Sequence, residues 1–159
     1  MPLIDLPQFC QSLLAPSRRN KAALLLVPDA RQVRGHAAQI AAAVGAGHLD
    51  FSSLFQSDPT LAGQLPVFDV RKTLNFIASR REMQPLWVVS GIEPIMAVWL
   101  SHPDPRQMKR DFCQCLELWE GPPAFLLVTC HDPVLAAYQP TRHTVGHFVM
   151  ELSQTASLA

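Results

Sequence analysis

The 159-residue chain has no excess charge of either sign, because Lys and Arg together number 13 and Asp and Glu also number 13. That balance removes the strongest compositional argument for a general nucleic-acid or membrane-surface binder. Long apolar runs are missing as well: no segment reaches the ~18 uninterrupted residues of a membrane-spanning helix. The opening MPLIDLPQFCQSLL carries an acid and prolines where a signal peptide has basic residues and then a pure apolar stretch, so a cytoplasmic protein is expected. Glycine is scarce, with 7 residues against 14 prolines. There is no Gly-x-Ser-x-Gly elbow and no His-Glu-x-x-His helix, which argues against the common hydrolases. The four cysteines, Cys10, Cys113, Cys115 and Cys130, lack Cys-x-x-Cys spacing and a secretory context, so reduced thiols are expected and no metal site.

With 48% hydrophobic and 16% charged residues, the chain can bury roughly 70% of the surface its unfolded form exposes. It has no internal repeat or low-complexity segment, so 1–159 is expected to be a single domain. Within it, 1–20 reads as an N-terminal helix (5–15) and a basic joint, 21–152 as the core, and 153–159 as a flexible tail. Ala22–Val27, Leu86–Val89 and Ala124–Thr129 are continuous apolar runs that suit strands buried on both faces, with further strands expected at His48–Phe55 and Thr144–Leu152. Helical spacing marks Val33–Val44, then Val67, Val70, Leu74 and Ile77, then 94–101, and most clearly Arg106–Glu120. The last is striped by Met108, Phe112, Cys115, Leu116 and Trp119, which places Cys115 in the core and Cys113 on another face. Apolar strands alternating with amphipathic helices describe an α/β protein with a mainly parallel sheet flanked by helices.

Ligands of such sheets sit past the C-terminal ends of the strands, at Pro28–Gly35, Ser90–Glu93 and Thr129–Asp132. A phosphate loop needs glycines, a lysine and a Ser or Thr. The segment after the first strand has the position and length of one, but Pro28 stands at its start, Asp29 would repel phosphate, Arg34 replaces the lysine, and Gly35 is the only glycine. In LWVVSGIE, Ser90 occupies the place of a Mg²⁺-directing acid and Glu93 that of a catalytic one. FLLVTCHD ends in a polar residue, Thr129, as a sensor strand does. The order of these three segments resembles small AAA-like P-loop ATPases, and within them the small P-loop protein of BREX-type phage-defence systems, over most of residues 20–152. The resemblance implies a P-loop NTPase-like fold and a role within a larger assembly. Pro28, Arg34, Gly35, Ser90, Glu93 and Thr129 would be degenerate nucleotide-site positions, with no catalytic residue and no cofactor retained.

The plainer readings are an ordinary βα turn at Pro28–Gly35 and a helix-capping role for Glu93. A weakly active ATP–Mg²⁺ site completed by a partner's arginine is the second functional reading. A third is a DNA-binding adaptor. It would use the basic first two thirds of the chain, with Arg18, Arg19, Arg71, Lys72, Arg80 and Arg81 as contacts, because residues 111–159 hold only Arg142 against Asp111, Glu117, Glu120, Asp132 and Glu151. The same asymmetry predicts a molecule with a basic front and an acidic back. Cys130 beside His131, with His143 and His147 downstream, is the best thiol-enzyme candidate, although neighbours on a strand point to opposite faces. Trp99, Phe55 and Met96, if exposed, would anchor a protein partner.

Overall fold

All six residues of Ala22–Val27 are buried, forming strand β1, and their alternation divides the core into two halves. Ala22, Leu24 and Leu26 face one layer of helices, whereas Ala23, Leu25 and Val27 face the other. A central strand buried on both sides needs apolar residues at every position, which is why the run shows no polar alternation. The computed structural model describes residues 2–141 and 146–158. The elements run α1 (Leu6–Ser12), β1, α2 (Val33–Val44), β2 (Gly47–Asp50), α3 (Phe51–Ser57), α4 (Pro59–Gly63) and α5 (Val70–Ala78). They continue with β3 (Leu86–Ser90), α6 (Glu93–Trp99), α7 (Pro105–Glu117), β4 (Ala124–Cys130), α8 (Pro133–Ala136) and β5 (Val149–Glu151). Short 3-10 turns occupy Ala30–Gln32, Leu65–Val67 and Leu152–Gln154.

The five strands form one sheet in the order β2-β3-β4-β1-β5, parallel at every pairing. Helices α1 and α2 cover one face through Leu6, Phe9, Val33, Ala37 and Ile40. The opposite face is covered by α3 and α5–α8, with Phe51, Ile77, Ile95, Phe112 and Leu135 against the strands. The connection leaving β1 therefore runs over one face and the connections leaving β3 and β4 over the other. In sheets of this kind the C-terminal ends of strands whose connections diverge, here β1 and β4, are where ligands are sought. The expected α/β class with its parallel sheet is what the chain adopts. No helix among the described residues is long and apolar enough to cross a membrane.

Several boundaries differ from expectation. The strand expected over His48–Phe55 stops at Asp50, because Phe51 turns into α3 and enters an aromatic cluster with Phe55, Phe68 and Phe76. Val67 precedes α5 and is 60% exposed, since Asp69 caps the helix and fixes its start at Val70. Helix α7 ends at Glu117, so Trp119 leaves the stripe and donates its Nε1–H to the Pro123 carbonyl at 2.7 Å. The buried face then centres on Phe112, Cys113 and Leu116, and the two cysteines exchange their expected places: Cys113 is core and Cys115 exposed. Of the strand expected over Thr144–Leu152, only Val149–Glu151 is β5; Arg142, His143, Thr144 and Val145 lie outside the described residues. In the segment expected as a flexible tail, Ile4 donates to Gln154 and accepts from Ala156, both at 2.8 Å, so residues 154–156 are paired to the start of the chain.

Candidate functional site

Only Pro28 and Asp29 separate β1 from the 3-10 turn that leads into α2, so the eight residues from Pro28 to Gly35 do not form an open loop. Asp29 is the N-cap of that turn: its Oδ1 accepts from the Arg31 backbone N–H at 3.0 Å and from Arg31 Nε at 3.2 Å. Arg31 Nη2 closes the second arm on Oδ2 at 3.1 Å, while the Asp29 carbonyl accepts from Gln32. The Asp29 carboxylate thus occupies the Arg31 N–H and its main-chain carbonyl the Gln32 N–H, so neither is left to an outside anion. Hydrogen bonds from Arg31, side chain first and backbone second, hold the Asp29 carboxyl below its usual range against a small opposing effect of burial. Pro28 adds no donor. Gly35 sits inside α2, and a Cβ at that position would meet nothing within 4 Å, so no close backbone approach requires glycine there.

Arg34 and Ser90 are brought together through a residue that sequence reasoning missed, Asp50 at the end of β2. Arg34 Nε lies 3.3 Å from Asp50 Oδ2, with the Arg34 side chain 70% exposed and that of Asp50 only 8%. Ser90, directly opposite Asp50 in the parallel register, donates to Oδ1 at 3.2 Å, and Ser53 donates to Oδ2 at 2.7 Å. His48, two residues before Asp50 and on the same face of the strand, places Nε2 2.8 Å from Ser90 Oγ. Burial, reinforced by Arg34 and opposed by Asp50, lowers the His48 pKa and favours the neutral ring. Gly91 has φ +74°, and a Cβ there would collide with Asp50 Oδ1. Glycine is what lets the chain leave β3 across this cluster. The Ser90–His48 pair has the spacing of a nucleophile and its base. However, Ser90 is fully buried and the carboxylate bonds the hydroxyl rather than the ring, so the cluster binds β2, β3 and α2 together.

Glu93 and Thr129 form the second group. Glu93 Oε1 accepts from Thr129 Oγ1 and from the Cys130 backbone N–H, both at 3.2 Å. The carboxylate opens α6 and also locks the ends of β3 and β4 together, a wider role than capping. The six expected nucleotide-site positions therefore separate into a closed turn at Pro28–Gly35, an Arg34–Asp50–Ser90 chain and a Glu93–Thr129 clasp. The two-residue spacing of His48 and Asp50 puts both on one face of β2, but only the pairing of β2 with β3 brings them to Ser90.

The other candidates fall elsewhere. Arg18 is buried: its Nε donates to the Asn20 carbonyl at 2.7 Å, Nη2 reaches the His147 carbonyl at 3.2 Å, and the guanidinium lies over Phe9. It is a tie at the base of β1 and not a surface contact for nucleic acid, and burial lowers its pKa. Arg19 beside it is exposed, whereas Arg71, Lys72, Arg80 and Arg81 belong to α5 and its C-terminal extension on the far layer. Trp99 and Met96 are core rather than partner anchors, with Trp99 Nε1 donating to the Phe68 carbonyl at 2.9 Å; Phe55 is half-buried in the aromatic cluster. His131 lies 3.5 Å from Glu151 instead of serving Cys130, and His143 is outside the described residues. Among the described residues no group of three or more His, Cys, Asp or Glu could hold a metal ion.

The all-parallel sheet flanked by helices is an α/β fold that matches a P-loop NTPase-like class, and the turn after β1 is closed by its own side chains. No protein-family model matches the chain, and no curated protein matches it significantly.

Proposed function

We propose that this domain is a noncatalytic P-loop NTPase-like subunit that acts through protein contacts in a larger, cytoplasmic bacterial assembly for defence or DNA handling. The observation that carries the reading is the double occupation of the phosphate side: Asp29 holds the turn and Arg31, and Asp50 holds Arg34 and Ser90. A triphosphate would have to displace two carboxylates, one of them nearly buried, and would gain no lysine and no Mg²⁺-directing acid in return. The order of the three strand-end segments, which resembles the small P-loop protein of BREX-type systems, supports placing the domain in such an assembly.

Isothermal calorimetry with ATP and Mg²⁺ tests the noncatalytic part. No heat of binding is expected up to about 1 mM nucleotide. Mg²⁺-dependent binding at or below that level would overturn it and favour the partner-completed ATP site instead. In that case Glu93→Gln would abolish turnover of the assembled complex. Co-purification of the tagged chain with the products of neighbouring genes tests the assembly: a stable complex containing a methyltransferase or a large ATPase is expected, and recovery of the free chain alone counts against it.

A further inference from the structure

The layer that carries α1 and α2 is almost without charge on its outside. Residues 6–17, 35–49 and 152–158 contain no Asp, Glu, Lys or Arg, whereas α7 in the opposite layer carries Arg106, Lys109, Arg110, Asp111 and Glu117. Burial does not account for this, because Gly35, Ala38, Gln39 and Ala42 of α2 are exposed, as are Gln11 of α1 and Ser157. The charges that border these segments in the chain are engaged. Asp5 caps α1, Arg18 is buried against Asn20, Arg34 and Asp50 meet each other, and Glu151 meets His131. The three segments form one surface. Gln39 lines one hollow with Leu6, His36 and Leu152 and a second with Ala42, Ala43 and Leu158, so the outer side of α2 is continuous with the start of α1 and with the chain after β5. Gln11 Nε2 donates to the Val44 carbonyl at 3.2 Å, which sets α1 beside the end of α2.

Within α2 the outward residues are arranged symmetrically. Opposite the buried Val33, Ala37, Ile40 and Ala41 stand Gly35, Ala38, Gln39 and Ala42, at the spacing i, i+3, i+4, i+7. Reversing the helix about the midpoint of Ala38 and Gln39 exchanges Gly35 with Ala42 and Ala38 with Gln39. We infer that this face is the contact between two copies of the chain, related by a two-fold axis that passes between Ala38 and Gln39 of α2. The small residues let two such helices approach to about 8 Å, the short end of the usual range. Each Gln39 then lies over the Ala38 of the other copy, long side chain against short. The two Gln39 amides can pair near the axis, because an amide both donates and accepts. A two-fold contact sets each group close to a copy of itself, so an uncharged face suits a second copy. A charged partner would select the opposite sign, which this face lacks. A specific interface takes about 800 Å² from each partner, about a tenth of the 8548 Å² of this chain. Helix α2 alone, about 18 Å long, is too narrow for that. The start of α1 and the chain after β5 widen it, with Leu3, 59% exposed, at the rim where Ile4 pairs with Thr155. The inference concerns the isolated chain and does not rest on the assembly proposed above.

Sedimentation equilibrium of the full chain between about 1 and about 200 μM tests it. The mass should rise with concentration from 17.6 kDa toward twice that value. Because no charges meet in the contact, its affinity should be about the same in ~0.05 M and ~0.5 M NaCl. Ala38→Glu brings a carboxylate close to its own copy and should weaken association at least tenfold with an unchanged circular dichroism spectrum. Arg81→Glu, at an exposed position just past α5 in the opposite layer, should leave it unaltered. Gln39→Glu and Gln39→Lys should each be monomeric alone and form a mixed dimer when combined, which requires Gln39 to meet its own copy; this pair carries the test if Ala38→Glu disturbs the fold. A mass of 17.6 kDa throughout overturns the inference. So does a dimer that survives Ala38→Glu, one lost equally in Arg81→Glu, or a failure of the two Gln39 variants to combine. A free chain that stays monomeric, while Ala38→Glu abolishes its recovery in a larger complex, would overturn it in favour of a different protein on this face.

Discussion

Asp29 and Asp50 differ in exposure, at 35% and 8% of the side chain, and yet each sets a carboxylate against an arginine of the same βα segment. The Arg31–Asp29 pair is solvated and screened by water, so its effect is to organise the turn more than to stabilise the fold. Asp50 has more at stake because it also accepts from Ser90 and Ser53 in a buried setting. Pattern reading could find Arg34 and Ser90, which stand at motif positions, but not Asp50, whose role exists only once β2 lies beside β3. The cysteines show a related limit. A stripe drawn through Met108 and Trp119 puts Cys115 in the core, whereas the face that α7 buries carries Phe112, Cys113, Leu116 and Glu117. Cys10 and Cys113 are fully buried, and burial pushes both thiols up to about 12, with Asp132 adding to the effect at Cys113. Burial and then Asp111 also raise exposed Cys115. With a colourimetric disulfide reagent at mildly alkaline pH, Cys115 should react first, half-buried Cys130 more slowly, and Cys10 and Cys113 only on unfolding. Cys115→Ser should abolish the fast phase; a fast phase that survives there and vanishes in Cys113→Ser would restore the stripe read from the sequence.

At the scale of elements, the proline excess acquires a specific meaning. Prolines lie in the first turn of α1, α4, α6, α7, α8 and the 3-10 turn at Leu65–Val67. There a missing N–H costs nothing and a fixed φ favours the helix. In α4, α7 and α8 the proline directly follows a capping aspartate: Asp58, Asp104 and Asp132 each accept backbone N–H groups of the first turn. The Asp-Pro pairs are therefore helix starts legible in the sequence. Asp132 does more than cap, because its other oxygen meets Lys109 of α7 and ties that helix to the end of β4. Burial raises its carboxyl pKa, but the Lys109 hydrogen bond, the α8 backbone donors and the Lys109 charge together prevail and lower it. At Asp104, where the cap is exposed and has no such partner, Asp104→Ala should cost about 1 kcal/mol and Asp104→Asn only a few tenths, measured by urea unfolding. Equal losses in the two variants would mean that charge, not the cap geometry, is what α7 requires.

Over the whole molecule, sequence order and spatial order diverge. β4 belongs to the acidic last third of the chain but lies between β1 and β3, with Ala22–Val27 paired to Phe125–Cys130 along one edge and Leu86–Val89 to Ala124–Leu127 along the other. The expected basic front and acidic back meet where Lys109 of the first part pairs with Asp132 of the last. The class of fold was legible because buried parallel strands announce themselves as uninterrupted apolar runs. Strand order was not, since nothing in Ala124–Thr129 taken alone says which neighbours it separates. The insertion makes the first part of the chain dependent on the last. A fragment of residues 1–121 would hold β1 and β3 without the strand that joins them, leaving the apolar faces of Leu24, Leu26, Val88 and Val89 without their common neighbours. Local helices can still form in it, but the two halves of the core cannot close. Urea titration of that fragment followed by circular dichroism should show a gradual, non-cooperative loss of signal, while a chain lacking only 153–159 should retain one cooperative transition. A sharp transition in the 1–121 fragment with the denaturant sensitivity of the full domain would mean that β1 and β3 can build a core without β4, contrary to the pairing of the sheet.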